Sequence, residues 1–152
     1  TGKENHHVTL HFLGDVPDGE VMDLCRMVTE GASELSPFEI GVRGLQVMPA
    51  GGPPRVISAG IQDESGALNA MYELFAERLS ESGFRVDGRR YRPHITLARI
   101  KSISDGRALR EAVGRYAETD FGRQTVDELI VYSSQLTPEG PIYVPVTSEK
   151  LG

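Results

Sequence analysis

Apolar and polar side chains alternate along several short stretches of the chain, which is the pattern of half-buried β-strands. In the first stretch, residues 8–12, the apolar side chains of Val8, Leu10 and Phe12 share one face and are expected in the core. The His7 and Thr9 side chains fall on the other face. The same pattern, or a short apolar run, predicts strands over 38–47, 56–61, 94–100, 126–132 and 142–146.

Three other stretches carry apolar residues at helical spacing. They predict helices with the stripes Val21, Leu24, Cys25 and Val28; Leu68, Met71, Tyr72, Phe75 and Leu79; and Leu109, Ala112, Val113 and Tyr116. The resulting order is β-α-β-β-α-β-α-β-β, with several strands joined as hairpins. This order favours an α+β fold with mixed or antiparallel sheets over a doubly wound parallel sheet.

Composition narrows the function classes. The chain has 152 residues with 16 basic and 22 acidic side chains, a net charge of −6, so it is a poor candidate for coating a long nucleic acid. One cysteine allows neither an intramolecular disulfide nor a Cys-based zinc site. Neither a transmembrane run nor a signal-peptide pattern is found, and we expect a cytoplasmic protein.

The basic residues are unevenly distributed. Six of them fall between positions 85 and 101, namely Arg85, Arg89, Arg90, Arg92, Arg99 and Lys101. Such a run is compatible with a solvated loop and with a surface that faces an anionic substrate. The sequence favours neither interpretation.

One tetrapeptide, His-x-Thr-Leu, occurs twice, beginning at His7 and at His94. On a strand, the His and Thr of each copy point to the same face. If the two strands lie side by side, His7, Thr9, His94 and Thr96 converge on one patch. The chain has only four histidines, so a chance repeat is a poor explanation.

Two imidazoles and two hydroxyls on one patch suit phosphodiester cleavage. Imidazole titrates near neutral pH, so one ring can take a proton while the other donates one. Threonine hydroxyls can donate hydrogen bonds to the non-bridging phosphate oxygens, and a nearby arginine can balance their charge. This chemistry requires neither a metal ion nor another cofactor, and none is expected.

A metal site is the alternative use of the histidines near the N-terminus. His7 and His11 would share a strand face but lie about 13 Å apart at ~3.3 Å per residue, too far for one ion. His6 points to the opposite face. We therefore expect no metal ligands here.

Two segments, from His7 to Val16 and from Arg92 to Arg99, resemble the signature motifs of the 2H phosphoesterase superfamily. The likeness is greatest to its bacterial and archaeal branch, the RNA 2′,3′-cyclic phosphodiesterases, also called 2′-5′ RNA ligases. The resemblance implies two pseudo-symmetric lobes around a central cleft, each lobe supplying one motif strand. It also implies opening of an RNA terminal 2′,3′-cyclic phosphate to a 2′-phosphate, and it allows reversible 2′-5′ RNA ligation as a further activity.

The resemblance also implies residue roles. His7 resembles the general acid and His94 the general base, while Thr9 and Thr96 would hold the phosphate. Arg99 resembles the arginine that ends the second motif and contacts phosphate or ribose. Strict alternation places Arg99 on the face opposite His94, so this role requires a bulge, a strand end or an arching side chain.

The resemblance covers nearly the whole chain, and residues 1–152 are expected to form one bilobal domain without the N-terminal strand and helix of relatives. The partners would be RNA ends or a nucleoside 2′,3′-cyclic phosphate, with no membrane or protein partner. A monomer is expected, or a dimer if the missing strand leaves a sheet edge exposed. The alternatives are a nucleotide- or RNA-binding module that uses the same cleft, and a phosphodiesterase for 2′-5′ oligonucleotides or small cyclic phosphodiesters.

Overall fold

Six strands and three α-helices follow one another in the computed structural model, which describes residues 2–152. The chain begins with a 3-10 turn at Lys3–Asn5, and the elements are α1 (Asp18–Ser33), β1 (Phe38–Met48), β2 (Val56–Gln62), α2 (Ala67–Glu81), β3 (His94–Arg99), α3 (Gly106–Gly114), β4 (Asp120–Val126), β5 (Glu128–Thr137) and β6 (Gly140–Lys150). The α+β class and the three predicted helices are confirmed, except that α3 ends at Gly114, before Tyr116, which is exposed.

Four strands form one sheet in the order β3-β2-β1-β4, and β5 pairs with β6 in a separate hairpin. The pairings β1–β2, β2–β3 and β5–β6 are antiparallel. The turn between β1 and β2 is held by Arg110 of α3, whose guanidinium donates to the carbonyl oxygens of Pro49, Ala50 and Gly52. The predicted hairpins are confirmed.

The chain divides into two units, each assembled from three separate stretches. The first unit holds the chain up to Leu10, Glu39–Glu64 and Arg90–Gln124. The second unit holds His11–Phe38, Ser65–Arg89 and Thr125–Gly152. Both His-x-Thr-Leu segments belong to the first unit.

The strand predicted over 8–12 is wrong. Val8 forms one isolated antiparallel bridge with Ile95, and no strand continues from it. After Val8, the alternation of apolar and polar residues therefore does not indicate which side chains are buried. Phe12, which was expected in the core, is 77% exposed. The prediction also omitted β4, because six of its seven residues are exposed and give no apolar alternation.

In the second unit, the apolar stripe of α2 forms the core. Its side chains Leu68, Met71, Phe75 and Leu79 are buried. Gly31 of α1 lets the two helices approach closely, since a Cβ at this position would lie 2.6 Å from the Phe75 ring. Among residues 2–152, no helix is long and apolar enough to cross a membrane.

His11 also packs in the second unit. Its ring stacks on Tyr72, with 4.4 Å between the ring centroids, and its Nε2 lies 3.0 Å from the Tyr72 carbonyl oxygen. A carbonyl oxygen only accepts, so Nε2 carries a proton in this contact. Burial lowers the pKa of His11 below its usual value, against smaller opposing contributions from the Tyr72 hydrogen bond and Glu73.

This lowered pKa predicts a pH dependence of stability. The unfolded chain binds a proton to His11 at higher pH than the folded chain does. The contribution of neutral His11 to folding stability is complete above the pKa of histidine in the unfolded chain, about 6.5. This contribution is lost as the pH falls through the lower pKa of His11 in the folded chain. We expect the His11→Phe variant to show a smaller decrease in Tm between pH 7.5 and 5 than the wild type. The exposed-residue control His6→Phe should keep the wild-type decrease, and an unchanged decrease in His11→Phe would contradict the assignment.

Candidate active site

The first motif lies against one edge of β3, in the first unit of the fold. Val8 bridges Ile95 at this edge, and β2 pairs with the other edge of the same strand. Directly opposed residues of an antiparallel pair share a sheet face. Val8 and Ile95 therefore occupy one face together, and their neighbours in sequence occupy the opposite face.

The bridge sets which polar residues of the two motifs oppose each other. Continued by one residue on each side of the bridge, the same antiparallel register would set His7 opposite Thr96 and Thr9 opposite His94. In this four-residue group, the two histidines would take one diagonal and the two threonines the other. The bridge thus joins the two motifs that the sequence singled out.

Both imidazoles are oriented in the same way. The His7 Nδ1 lies 2.6 Å from the carbonyl oxygen of Asn5, and the His94 Nδ1 lies 2.9 Å from that of Arg92. Each partner is the residue two positions earlier. Because a carbonyl oxygen only accepts, each Nδ1 carries the proton in its contact. Nε2 is therefore the atom at which each ring can gain or lose a proton during a reaction.

A bulge in β3 decides where Arg99 points. Alternate residues of β2 share a sheet face with their partners on β3: Val56 is opposite Arg99, Ser58 opposite Thr96, and Gly60 opposite His94. Leu97 is the extra residue of the bulge and has no partner in this register. The bulge restores Arg99 to the face of His94 and Thr96, which strict alternation would not allow.

Two small residues of β2, Gly60 and Ser58, pair with residues of the second motif. Gly60 is opposite His94, and a Cβ added to it would lie 2.7 Å from the Arg43 carbonyl oxygen. Ser58 is completely buried and donates a hydrogen bond to the Met48 sulfur at 3.3 Å. A larger residue at Gly60 would displace β1 or β2 and with them the support of His94.

Tyr91 contacts the first motif, a role that the sequence did not suggest. Its hydroxyl donates a hydrogen bond to the Thr9 carbonyl oxygen at 2.9 Å. The two residues are 82 positions apart in sequence. Because every residue has a backbone carbonyl, the identity of the acceptor residue gives no indication of this hydrogen bond. Only its place just before the second motif could have drawn attention to Tyr91.

The basic run divides between two environments. Arg89 makes a forked contact with Asp87 and, chiefly through its side-chain hydrogen bond, lowers the pKa of that carboxyl group to about 2. This arginine stabilises a loop of the second unit. Arg92 and Arg99 of the first unit are exposed, and across residues 2–152 neither forms an ion pair. Arg89 thus lies in a loop, as the first interpretation expects, while a substrate-facing role for Arg92 and Arg99 stays a prediction.

Over the described residues, 2–152, there is no group of three or more His, Cys, Asp or Glu side chains that could hold a metal ion. His11, considered above as a ligand, packs on Tyr72 instead.

Comparison with known proteins extends the motif resemblance. The LigT like Phosphoesterase family matches residues 1–58 and 60–143. An RNA 2′,3′-cyclic phosphodiesterase of Aquifex aeolicus is 32% identical over 98% of this chain and 79% of its own length. One of Methanothermobacter thermautotrophicus is 34% identical over 92% of this chain and 75% of its own length. A crystal structure of a Thermus thermophilus protein has a TM-score of 0.82 at 28% identity, over 99% of this chain and 80% of that one.

Proposed function

Because the chain belongs to the LigT-like phosphoesterase family, we propose that it hydrolyses RNA terminal 2′,3′-cyclic phosphates to 2′-phosphates at its two His-x-Thr pairs. The relatives from Aquifex aeolicus and Methanothermobacter thermautotrophicus are named for cleavage of this substrate. The observation that supports the proposal is the Val8–Ile95 bridge, which joins the two motifs in antiparallel orientation. Continued by one residue on each side, this register would set the histidines on one diagonal and the threonines on the other.

The two diagonals suit displacement at phosphorus. In such a reaction the attacking and leaving oxygens lie roughly in line, on opposite sides of phosphorus. A base and an acid must therefore stand across the phosphate from each other. Diagonal positions on an antiparallel pair are about 7 Å apart, which leaves room for a phosphate between the His7 and His94 rings. The threonine diagonal crosses this axis, where the non-bridging oxygens lie.

The proton transfers follow from the orientation of the rings. His94 accepts a proton from water at Nε2 as the water oxygen bonds to phosphorus. The bond from phosphorus to O3′ breaks, and the Nε2–H of protonated His7 gives its proton to O3′. The product is a 2′-phosphate with a free 3′-hydroxyl. The Asn5 and Arg92 carbonyl oxygens hold the Nδ1–H of each ring throughout.

The remaining polar residues would hold the phosphate. Thr9 and Thr96 can each donate a hydroxyl hydrogen bond to a non-bridging oxygen. Arg99, which the bulge places on the same face, can offer its guanidinium to the charge on these oxygens or to the ribose. With a 5′-hydroxyl in place of water, His94 would accept the hydroxyl proton as O5′ bonds to phosphorus, and O3′ would leave with a proton from His7. The product would be a 2′-5′ phosphodiester, so ligation is part of this proposal.

The proposal is tested by turnover of a nucleoside 2′,3′-cyclic phosphate, with the 3′,5′-cyclic nucleotide as the comparison substrate. We expect hydrolysis of the 2′,3′-cyclic compound at the same rate with and without EDTA, because imidazoles supply both proton transfers. Binding without turnover would favour a nucleotide-binding module. Turnover that EDTA abolishes would contradict the metal-free chemistry.

Arg99 gives a separate prediction. Arg99→Gln should lower kcat/KM by about 10–100-fold, the loss of one charge-assisted hydrogen bond of ~1.5–3 kcal/mol. The measurement is steady-state kinetics with the nucleoside 2′,3′-cyclic phosphate. Arg107→Gln is the matched control, because Arg107 is exposed on α3 and pairs with Glu111. Equal kinetics in the two variants would show that Arg99 does not contact the substrate.

A further inference from the structure

We propose that Tyr91 is a positioning residue that sets the first His-x-Thr pair against the second; the inference rests on the function proposed above. Its hydroxyl donates to the Thr9 carbonyl oxygen at 2.9 Å. Because Tyr91 precedes the second motif and Thr9 belongs to the first, this hydrogen bond joins the two motif segments.

The first motif needs such support because it is not part of a continuous strand. A regular ladder would fix its distance from β3 at every second residue, whereas Val8 forms an isolated bridge. The Tyr91 contact falls one residue beyond the bridge and attaches the first motif at a second position.

The segment that carries Tyr91 also orients the other histidine. Its next residue, Arg92, supplies the carbonyl oxygen that receives the Nδ1–H of His94. Pro93 follows and restricts Arg92 to extended backbone conformations. Within three residues, the same segment therefore contacts the first motif and fixes the ring of the second. The relative position of the two imidazoles depends on it.

The test is Tyr91→Phe, which removes the hydroxyl and keeps the ring. We expect kcat for a nucleoside 2′,3′-cyclic phosphate to fall about tenfold, the factor for a hydrogen bond of ~1.4 kcal/mol. In a His7→Ala background the same change should cost less than about twofold, because its effect is exerted through the position of His7. Tyr116→Phe, which alters an exposed tyrosine of the same unit, should match the wild type.

Amide hydrogen exchange of the segment around residues 7–10 supplies a measurement that does not depend on turnover. We expect faster exchange there in Tyr91→Phe than in the wild type, and unchanged exchange in β1. Equal exchange, or an equal loss of kcat in the wild-type and His7→Ala backgrounds, would overturn the inference. A wild type without turnover would instead overturn the proposed function, while the exchange comparison would still decide the role of Tyr91.

Discussion

The His94→Ala variant is expected to lose about 10²–10⁴-fold in kcat for a nucleoside 2′,3′-cyclic phosphate, the usual contribution of a general base. In the wild type, the Nδ1–H of His94 is held by the Arg92 carbonyl oxygen, which leaves Nε2 to accept the proton of water. Without that base, water must attack phosphorus with both of its protons. The measurement is steady-state hydrolysis, with Tm recorded alongside to show that the variant is folded.

His6→Ala is the matched control for this loss. His6 adjoins the first motif in sequence, but its side chain is exposed and it lies outside the four-residue group. We expect wild-type kinetics from this variant. A His94→Ala protein that is folded and retains more than about one tenth of the wild-type kcat would rule out the general-base assignment.

The second large effect concerns His7 and depends on the leaving group. His7→Ala should lose about 10²–10⁴-fold in kcat with the natural substrate, since O3′ must then leave without a proton. A p-nitrophenyl ester of a nucleoside 2′-phosphate has p-nitrophenolate in place of that oxygen and needs no proton for departure. With this ester, the loss in His7→Ala should shrink to less than about tenfold.

His94→Ala provides the comparison for the ester experiment. Activation of water is needed with either leaving group, so His94→Ala should be strongly impaired with both substrates. The two motifs are locally alike, and the assignment of acid and base came from the family resemblance. The reverse outcome, with recovery in His94→Ala and none in His7→Ala, would exchange the two roles.

The sequence predicted the parts of the fold that depend on local pattern. Helical spacing places α2 correctly, because Leu68, Met71 and Phe75 all face a core. Alternation fails at residues 8–12, since it indicates which side chains share a face and not whether a neighbouring strand is present. The sequence pattern misses strand β4 for the opposite reason. This strand pairs with β1, but six of its seven residues are exposed, so they show no alternation of apolar and polar side chains.

The sequence proposes the residues of the candidate site but not their geometry. A repeated His-x-Thr in a chain with four histidines predicts His7, Thr9, His94 and Thr96 as site residues. The register that opposes histidine to threonine depends on a pairing between segments far apart in sequence, which no local pattern encodes.

The position of Arg99 depends on a bulge, and a bulge changes alternation without requiring a distinctive residue type. Leu97, the extra residue, is the type that an uninterrupted strand would also carry. Tyr91 was equally hidden, since tyrosine is common in packed positions and its partner here is a backbone oxygen.

Whether the two His-x-Thr pairs direct water to phosphorus and release O3′ can be followed by ³¹P NMR of a cyclic-phosphate-ended oligoribonucleotide in EDTA. The His7→Ala/His94→Ala double variant is the control. We expect the wild type alone to convert the cyclic signal to a single 2′-phosphomonoester. A 3′-phosphomonoester, or equal conversion by the double variant, would show that the two pairs do not perform this reaction.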